Sequence, residues 1–375
     1  MKIIKINDTS NKLFYIGGVV RDELLGRESL DVDITYVGNA IEYCSKFGEV
    51  VQGNPDFGTV RVKLQQGKDT TNKDVIVDFA STRFESYPKK GHLPVVEKIG
   101  CSLKEDVLRR DFTINALAKS VATGEIVDYV GGLDDLKDKK LKVLHDKSFI
   151  DDPTRIIRGL KFAVRFGFEL DAHTKKLQDE YLANINYDMS YKRVKKELIE
   201  TFSLNSQVAF EKFINQKIYK LVTPNEIKIP KINIEELVKK YLINQQVDKN
   251  EALWLVYAGV LEDLSRLPLT KIEQKILDDV PKEVLKSDFE LYKTFQNARL
   301  ETVLLYAITK DEIGARHYLD DLRGIKLEIN GKDLQNLGIK PSPKYQEIFD
   351  KVLKIKLQNP KMTKDDEIKI AEKLI

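Results

Sequence analysis

The stretch GGVVRDELLGRESLDVDI, residues 17–34, decides how this sequence is interpreted. Two glycines precede a short helical pattern, and a strand-like DVDI follows it. On a strand, alternate side chains point to the same face, so Asp31 and Asp33 share one small volume. Two carboxylates this close repel each other unless a cation lies between them, and Mg²⁺ with its oxygen ligands suits such a pair. The pair therefore indicates a metal site, whereas an isolated DxD would indicate only exposed acids at a strand end.

The residues just before this pair are suited to phosphate. Gly17 and Gly18 allow the backbone to approach a ligand closely, and a helix beginning near Val19 offers free N–H groups to an anion. Arg21 adds a forked cation in the first turn, and Asp22 is expected to support Arg21 or the start of the helix. A phosphate cradle is thus predicted beside the metal ligands.

The composition of the chain sets limits on its class. With 375 residues and 42% hydrophobic content, the chain is long enough for two or three domains with real cores. Only two cysteines occur, without a CxxC pair, so neither a disulfide framework nor a zinc site is expected. No apolar run approaches ~20 residues, and the N-terminus lacks a secretory pattern, so we expect a cytoplasmic protein with no membrane contact. The net charge of +3 predicts that any polyanion site depends on local clusters.

The character of the sequence changes along the chain. The first ~130 residues alternate β-rich runs with helical patches, which predicts a mixed α/β domain. After VGGLDDL at residues 130–136, the sequence consists almost entirely of amphipathic helical patterns that are interrupted at prolines. The fold class predicted is therefore α+β, with an α/β part followed by an all-α extension.

Several blocks in order carry a resemblance to a known family. Residues 17–34 resemble the signature of the tRNA nucleotidyltransferase and bacterial poly(A) polymerase family, in the polymerase β-like superfamily, and in particular that of the class II CCA-adding enzymes. The resemblance is dense over residues 14–200 and thins afterwards. The further matching blocks are FGTVRV (57–62), RRDFTINALA (109–118), DYVGGLDDL (128–136), DDPTRIIRGLKFAVRFGFEL (151–170) and KRVKKEL (192–198).

The resemblance implies a four-part molecule and a reaction. It implies a polymerase β-like nucleotidyltransferase head, a helical neck that recognises the base, a helical body and a helical tail that binds tRNA. Their expected ranges are 1–135, 136–200, 201–310 and 311–375. The reaction implied is transfer of CMP and AMP from CTP and ATP to the 3′ end of tRNA, by two metal ions and without a template. No protein partner is implied.

Three acids receive catalytic roles from the resemblance. Asp31 and Asp33 would bind Mg²⁺. Superfamily members commonly add a third carboxylate from a neighbouring strand, and Asp78 in VIVDFA is the best-placed candidate. The alternative is that Asp78 is a strand-end acid paired with Arg83.

Two arginines in RRDFTINALA resemble the triphosphate-binding arginines of the family. Arg109 and Arg110 precede a predicted helix, FTINALA, so they are expected to reach phosphates near its N-terminus. Asp111 is expected to cap that helix rather than to take part in catalysis.

The block DDPTR predicts how the base is chosen. Asp152 and Arg155 are spaced i, i+3, and a structural ion pair is the simple interpretation. An acceptor beside a donor fork also matches the edge that C and A share, an exocyclic amino group next to a bare ring nitrogen. U and G present the opposite pattern there, so side chains alone could select CTP and ATP. Arg158, one turn on, is expected to hold Asp152 or a phosphate.

At two positions the sequence departs from the family pattern, so the family's residue roles are not assigned there. Asp151 stands where many members have Glu, and Lys192 replaces the first acid of the helix motif in which Arg193 and Glu197 remain. Those two are expected to form an i, i+4 brace under the nucleotide pocket.

Two further segments and several rival functions complete the prediction. Residues 83–100 form a polar loop that the resemblance identifies as the mobile loop of C-to-A switching, with an ordinary exposed connection as the alternative. Residues 327–349 resemble the tail segment of CCA-adding enzymes, which would hold tRNA by shape and phosphate contacts. The rival functions are A-only addition, CC-only addition, poly(A) synthesis and, from another class, an inactive RNA-binding module.

Overall fold

Two compact units make up the protein in a computed structural model, which describes residues 6, 8, 10–29, 32–68, 74–227, 229–243 and 252–374. The first unit contains the described residues up to Leu204 together with Val208–Pro224, and the second contains Asn205–Gln207 and the described residues from Asn225 onward. Asp31 lies outside the described residues. The four-part division stays a prediction.

The first unit is built on a mixed seven-stranded sheet. Its strand order is β3-β4-β5-β2-β1-β8-β9, and β2 and β5 run parallel while the other neighbours are antiparallel. Two small sheets accompany it, one of β6 and β7 and one of β10 and β11. The strands are β1 Leu13–Ile16, β2 Asp33–Tyr36, β3 Gly48–Asn54, β4 Thr59–Lys68, β5 Asp74–Ser81, β6 Arg83–Ser86, β7 Val95–Ile99, β8 Ala118–Ser120, β9 Ile126–Val127, β10 Lys140–Leu141 and β11 Glu169–Leu170.

Helices follow the strands, as the sequence predicts. Those up to residue 215 are α1 Gly18–Leu24, α2 Ala40–Cys44, α3 Leu103–Leu108, α4 Gly132–Lys137, α5 Ser148–Asp151, α6 Thr154–Phe166, α7 Ala172–Ala183, α8 Tyr191–Phe202 and α9 Gln207–Asn215. Single 3₁₀ turns lie at Ser45–Phe47, Pro55–Phe57, Thr113–Asn115 and Ile218–Leu221. The predicted α+β fold class is confirmed, and the short β10–β11 pair is an addition to the predicted all-α region.

The helix α6 owes its position to its apolar face. Phe162 packs edge-on against Phe112 with ring centroids 6.0 Å apart, and Phe166 stacks on Phe162 at the same centroid distance. These rings are buried, and burial of a side chain of this size stabilises a fold by about 1.5–3 kcal/mol. Gly167 ends the helix in the left-handed conformation, with φ of 72°. The aromatic face therefore fixes the helix that carries Arg155 and Arg158.

The second unit is helical and has its own core. Within it, the buried Glu367 accepts hydrogen bonds from the backbone of Ile329 at 2.9 Å and of Glu328 at 2.8 Å, and it pairs with Lys356. The helices are α10 Ile234–Val238, α11 Leu253–Ala258, α12 Lys271–Asp278, α13 Asp288–Phe295, α14 Leu300–Thr309, α15 Glu312–His317, α16 Gly331–Asn336, α17 Lys344–Gln358 and α18 Lys364–Glu372, with π turns at Lys239–Ile243 and Tyr318–Leu322 and a 3₁₀ turn at Gly259–Leu261. In the described ranges, no helix has both the length and the apolar character required to cross a membrane.

Candidate functional site

A cleft of about 930 Å³ lies in the first unit. Residues from the sheet side form one wall, and residues from α6 and α8 form the other. Nine of the predicted site residues line this cleft, and they come from four separate stretches of the sequence. They are Gly17, Gly18, Arg21, Asp33, Arg109, Arg110, Asp152, Arg155 and Arg158.

Gly17 allows a close approach between the start of α1 and an arginine. Its φ is +73°, and a Cβ atom on it would lie 3.0 Å from Nη1 of Arg110. The positive φ therefore favours glycine, and a side chain here would also press on the end of Arg110. The helix begins at Gly18, one residue earlier than the sequence predicts.

Arg21 is held from several sides inside the cleft wall. Its Nε donates to Asp22 at 2.8 Å and its Nη1 to Asn115 at 2.5 Å, while its guanidinium lies 4.4 Å from the ring centroid of Phe166. Burial lowers the pKa of Arg21, although Asp22 partly offsets this. Asp22 supports Arg21, as the sequence predicts, and Arg21 joins α1 to α6.

Asp33 and Asp78 lie side by side on the parallel strands β2 and β5. Both are exposed, and Asp78 accepts two hydrogen bonds from Arg61, from Nε at 2.7 Å and from Nη2 at 2.8 Å. The alternative pairing of Asp78 with Arg83 is wrong, because the side chain of Arg83 donates to Glu85 at 2.6 Å instead. The sequence did not indicate Arg61, since only the antiparallel register of β4 and β5 brings it opposite Asp78.

The buried Asp106 joins Arg109 and Arg110. It accepts from Nε of Arg109 at 2.9 Å, from Nη2 of Arg110 at 3.3 Å and from the backbone of Arg83 at 3.1 Å. Burial alone would raise the pKa of Asp106, but Arg110 and Arg109 outweigh it and lower the pKa. Sequence reasoning missed this residue, although its i, i+3 and i, i+4 spacing to the two arginines was a usable signal.

The predicted helix FTINALA is wrong. Only a 3₁₀ turn forms at Thr113–Asn115, and the strand β8 follows at Ala118. Arg109 instead ends the preceding helix α3, which Ser102 and Glu105 cap at its start. The two arginines are thus positioned by a carboxylate rather than by a helix N-terminus.

Arg110, which lines the cleft, has one donor without a partner in the described part of the chain. Its Nε is buried and has no hydrogen-bond partner among the described residues. Burial lowers the pKa of Arg110, and the neighbouring charge of Arg109 contributes, while Asp106 and Asp33 oppose the shift. A buried donor without a partner is costly, so an anion at this point would be stabilising.

Asp111 does not cap a helix. Its Oδ1 accepts from Nδ2 of Asn115 at 3.0 Å, and its Oδ2 accepts from Nε of Arg158 at 2.8 Å. Burial alone would raise the pKa of Asp111, but the charge and hydrogen bonds of Arg158 and Asn115 lower it to about 2. Arg158 also donates to Glu197 at 3.1 Å, so its expected contact with Asp152 is replaced by two other carboxylates.

Asp152 and Arg155 face the same cleft without pairing to each other. Asp152 lies just before α6, where its Oδ1 accepts from the backbone and the hydroxyl of Thr154 at 3.1 and 2.6 Å, and its Oδ2 pairs with Arg193. Arg155 donates from Nη1 to Ser148 at 2.7 Å, and from Nη2 to the carbonyl of Arg109 at 3.0 Å and to another side chain. The simple ion-pair interpretation is therefore wrong, and each side chain is oriented separately.

The expected brace between Arg193 and Glu197 has a different form. Arg193 pairs with Asp152, and Glu197 binds Arg158 and Lys161, the latter at 2.8 Å. Both side chains thus support α6 from α8, but through separate partners.

Residues 83–100 form a two-stranded hairpin rather than a simple loop, and its tip packs against Asp151 and Met189. The strands are β6 and β7, and at the tip Lys90 pairs with Asp151 at 2.6 Å. Gly91 donates to the carbonyl of Asp151 at 3.0 Å, and a Cβ atom on Gly91 would lie 2.9 Å from Met189. The hydroxyl of Tyr87, from the same tip, accepts a hydrogen bond from Arg155 at 3.2 Å. The role of this segment in switching stays a prediction.

The sheet carries two acids side by side on parallel strands, and an arginine-lined cleft lies beside them. This arrangement is typical of nucleotidyltransferases of the polymerase β-like superfamily. Residues 13–142 match the Poly A polymerase head domain family. The chain is 31% identical to an A-adding tRNA nucleotidyltransferase of Geobacter sulfurreducens, over 96% of this chain and 45% of that protein. It is 28% identical to that of Halalkalibacterium halodurans, over 89% of this chain and 82% of that protein. The solved structure of a CCA-adding enzyme, apo form II, has a TM-score of 0.76 at 25% identity, covering 96% of this chain and 90% of that chain.

Residues 13–142 thus have the head domain of poly(A) polymerases, and the chain is similar over nearly its whole length to tRNA nucleotidyltransferases. It spans less than half of the length of the Geobacter relative.

The decrease in the free energy of unfolding at low pH should depend on Asp111. Because its folded pKa of about 2 lies below its ordinary value of 3.8, its contribution is present above pH 4 and is lost as the pH falls toward 2. The effect is of the order of 2 kcal/mol. Asp111→Asn should therefore lose less unfolding free energy than the wild type between pH 5 and pH 2, measured by urea titrations. Parallel losses in the two proteins would contradict this.

Proposed function

We propose that this chain transfers CMP and AMP from CTP and ATP to the 3′ end of tRNA, without a nucleic acid template. The observation that carries the proposal is that Asp152 and Arg155 line the arginine-rich cleft and keep hydrogen-bonding capacity for a base. In the reaction, the terminal 3′ oxygen of the RNA bonds to the α-phosphorus. The bond to pyrophosphate breaks, pyrophosphate leaves with that electron pair, and the hydroxyl proton is released to solvent. No covalent enzyme intermediate is required.

The triphosphate would be held by arginines from the head. The unpartnered Nε of Arg110 supports this assignment, because a phosphate oxygen would satisfy it. The close approach at Gly17 supports it as well. Arg109, whose pKa is raised because Asp106 and Glu85 outweigh its burial, stays charged beside it. Gly18, Arg21 and Arg158 would complete this wall, with Arg21 and Arg158 acting mainly by positioning.

The carboxylates fit a hard cation. Asp33 and Asp78 offer oxygen ligands from adjacent parallel strands, which is the donor type that Mg²⁺ prefers. Among the described residues, no group of three or more His, Cys, Asp and Glu side chains surrounds a common point, and Asp31 lies outside them. We assign the Mg²⁺ ligands to Asp31 and Asp33 and a third catalytic carboxylate to Asp78. When bound, the metal would stabilise the charge of the attacking and leaving oxygens.

The base would be read by the donors and acceptors that Asp152 and Arg155 still have free. Arg155 uses Nη1 and Nη2 in the contacts described, and its Nε–H remains available to a ring nitrogen. Asp152 has lone pairs left beyond those bound by Thr154 and Arg193, and these would accept an exocyclic amino group. UTP and GTP would place a carbonyl against Asp152 and an N–H against Arg155. Leaving such buried groups unpaired supports discrimination of ~10⁴.

The product is a separate question from the reaction. The names of two relatives favour A-only addition as the second candidate, whereas the name of the solved neighbour agrees with complete CCA. The ordered hairpin at residues 83–100 supports a chain able to add A. The exposed acid pair argues against an inactive RNA-binding module, because a mere binder gains nothing from carboxylates beside phosphate.

The remaining assignments follow the four-part division. We propose that residues 1–135 are the catalytic head and 136–200 the base-reading neck. Residues 201–310 would be the body and 311–375 the tail that binds tRNA. Since its substrate would be tRNA, we place the protein in the cytoplasm.

The rival products are separated by one assay. The protein is incubated with Mg²⁺, each labelled nucleoside triphosphate, and tRNA that lacks CCA, ends in CC or is complete. Complete CCA addition extends the first RNA by three nucleotides and the second by one. A-only addition extends only the second, CC-only addition extends only the first and by two nucleotides, and a poly(A) polymerase extends all three with A. Incorporation into none of them would contradict the enzymatic function.

Replacement of a carboxylate should separate catalysis from binding. Asp33→Asn removes a charge at an exposed position, so the fold should be kept while incorporation falls by at least about 10³-fold. Binding of tRNA, measured by filter retention, should change by less than about threefold. The matched control is Asp56→Asn, an exposed acid that does not line the cleft, which should leave incorporation unchanged. Full activity of Asp33→Asn would exclude a catalytic role.

Replacement of Arg155 should alter the choice of nucleotide rather than the chemistry alone. Arg155→Ala should reduce the preference for CTP and ATP over UTP and GTP, expressed as a ratio of kcat/KM, by at least about 100-fold. Arg155→Lys keeps the charge without the planar fork, so it should also lose selectivity while retaining more activity. A selectivity ratio unchanged in both variants would rule out base reading by this side chain.

A further inference from the structure

A second cavity of about 450 Å³ lies on the exposed face of β2, β5, β4 and β3. It shares Asp33, Arg83, Arg109 and Arg110 with the cleft that contains Asp152 and Arg155. We propose that this cavity, called here the sheet groove, receives the single-stranded 3′ end of the RNA, and that Arg61 binds a backbone phosphate there. The proposal rests on the proposed function and locates its second substrate.

The sheet groove contains a row of four polar side chains. The strand register places Gln52 opposite Arg61, Arg61 opposite Asp78, and Asp78 opposite Asp33. Residues in register across neighbouring strands point to the same face, and all four are exposed. With about 4.8 Å between strands, the row is about 14 Å long. It therefore extends from the proposed reaction centre by the length of two or three nucleotides.

The residues not shared by the two cavities separate their functions. Only the first cleft contains the base-reading pair Asp152 and Arg155, and only the sheet groove contains Gln52, Arg61 and Asp78. The attacking oxygen and the leaving pyrophosphate must lie on opposite sides of the α-phosphorus in an in-line displacement. If the base of the incoming nucleotide occupies the first cleft, the RNA therefore approaches through the sheet groove.

Arg61 has the chemistry to bind RNA phosphate at this place. Its Nε and Nη2 form the forked contact with Asp78, which leaves the two N–H groups of Nη1 without a described partner. The side chain is 46% exposed, so a phosphate oxygen reaches it from solvent. The pairing also offsets the negative charge of Asp78. Without Arg61, both Asp78 and Asp33 would repel the RNA backbone. Arg61 thus makes an acidic reaction centre accessible to a polyanion.

The test compares RNA binding with and without the single-stranded end. Fluorescence anisotropy measures Kd for tRNA ending in CC and for the same tRNA trimmed to its acceptor duplex. Trimming should weaken binding by the wild type about tenfold. Arg61→Gln should weaken binding of the tRNA ending in CC about tenfold and leave the trimmed tRNA unchanged, and the slope of log K against log salt should fall by about 0.7 for the longer RNA.

Two other variants guard against indirect effects. Arg61→Lys keeps a point charge and should recover part of the lost affinity. Lys104→Gln removes one positive charge from an exposed position of α3 outside both cavities, and it should bind both RNAs as the wild type does. Equal effects of Arg61→Gln on both RNAs, or no effect on either, would overturn the proposal.

The outcome also separates this inference from the proposed function. If the wild type adds no nucleotide to any tRNA but its binding depends on Arg61 and on the single-stranded end, the function is wrong and the sheet groove stands. If the wild type adds nucleotides while Arg61→Gln distinguishes the two RNAs as the wild type does, the sheet groove is wrong and the function stands.

Discussion

Burying arginines without losing their charge is the constraint on which the cleft depends. Removing a guanidinium from water is costly, so each one needs a carboxylate or carbonyl held in the right place. Asp106 meets this requirement for Arg109 and Arg110, while Asp111 does so for Arg158. Each acid accepts from more than one donor, and the pKa of both acids is lowered as a result. The network leaves charged arginines in the wall of the cleft.

The same constraint explains why Asp152 and Arg155, the proposed base-reading pair, are preorganised. Asp152 is fixed by Thr154 and Arg193, and Arg155 is fixed by Ser148 and by the carbonyl of Arg109. These contacts come from three different segments and hold the two side chains apart instead of allowing them to neutralise each other. Rigid polar groups that need no rearrangement give larger discrimination between substrates, because an unpaired group has no alternative partner. Selectivity on this view is a property of the supporting contacts as much as of the pair.

Several features of the site followed from the sequence because they depend on local spacing. The glycine pair, the strand that carries Asp33 and the block around Asp152 and Arg155 each lie within a few residues. The predicted helix after Arg110 failed for a tertiary reason. Its apolar residues include Phe112, which packs against Phe162 of α6, and Ala118, which enters β8 beside β1. Long-range packing and strand pairing overrode a local helical pattern there.

The sequence by itself determined the fold class, a helix close after Gly17 and nine of the residues that line the cleft. Only the tertiary structure decided which charges pair. Asp78 binds Arg61 rather than Arg83, Asp111 binds Arg158 rather than a helix end, and Asp152 binds Arg193 rather than Arg155. The reason is physical. The periodicity of apolar residues predicts which face of a helix or strand a side chain occupies, whereas an ion pair depends on the distance between two such elements. Those distances are set by sheet register and by the packing of α6, neither of which any single segment encodes.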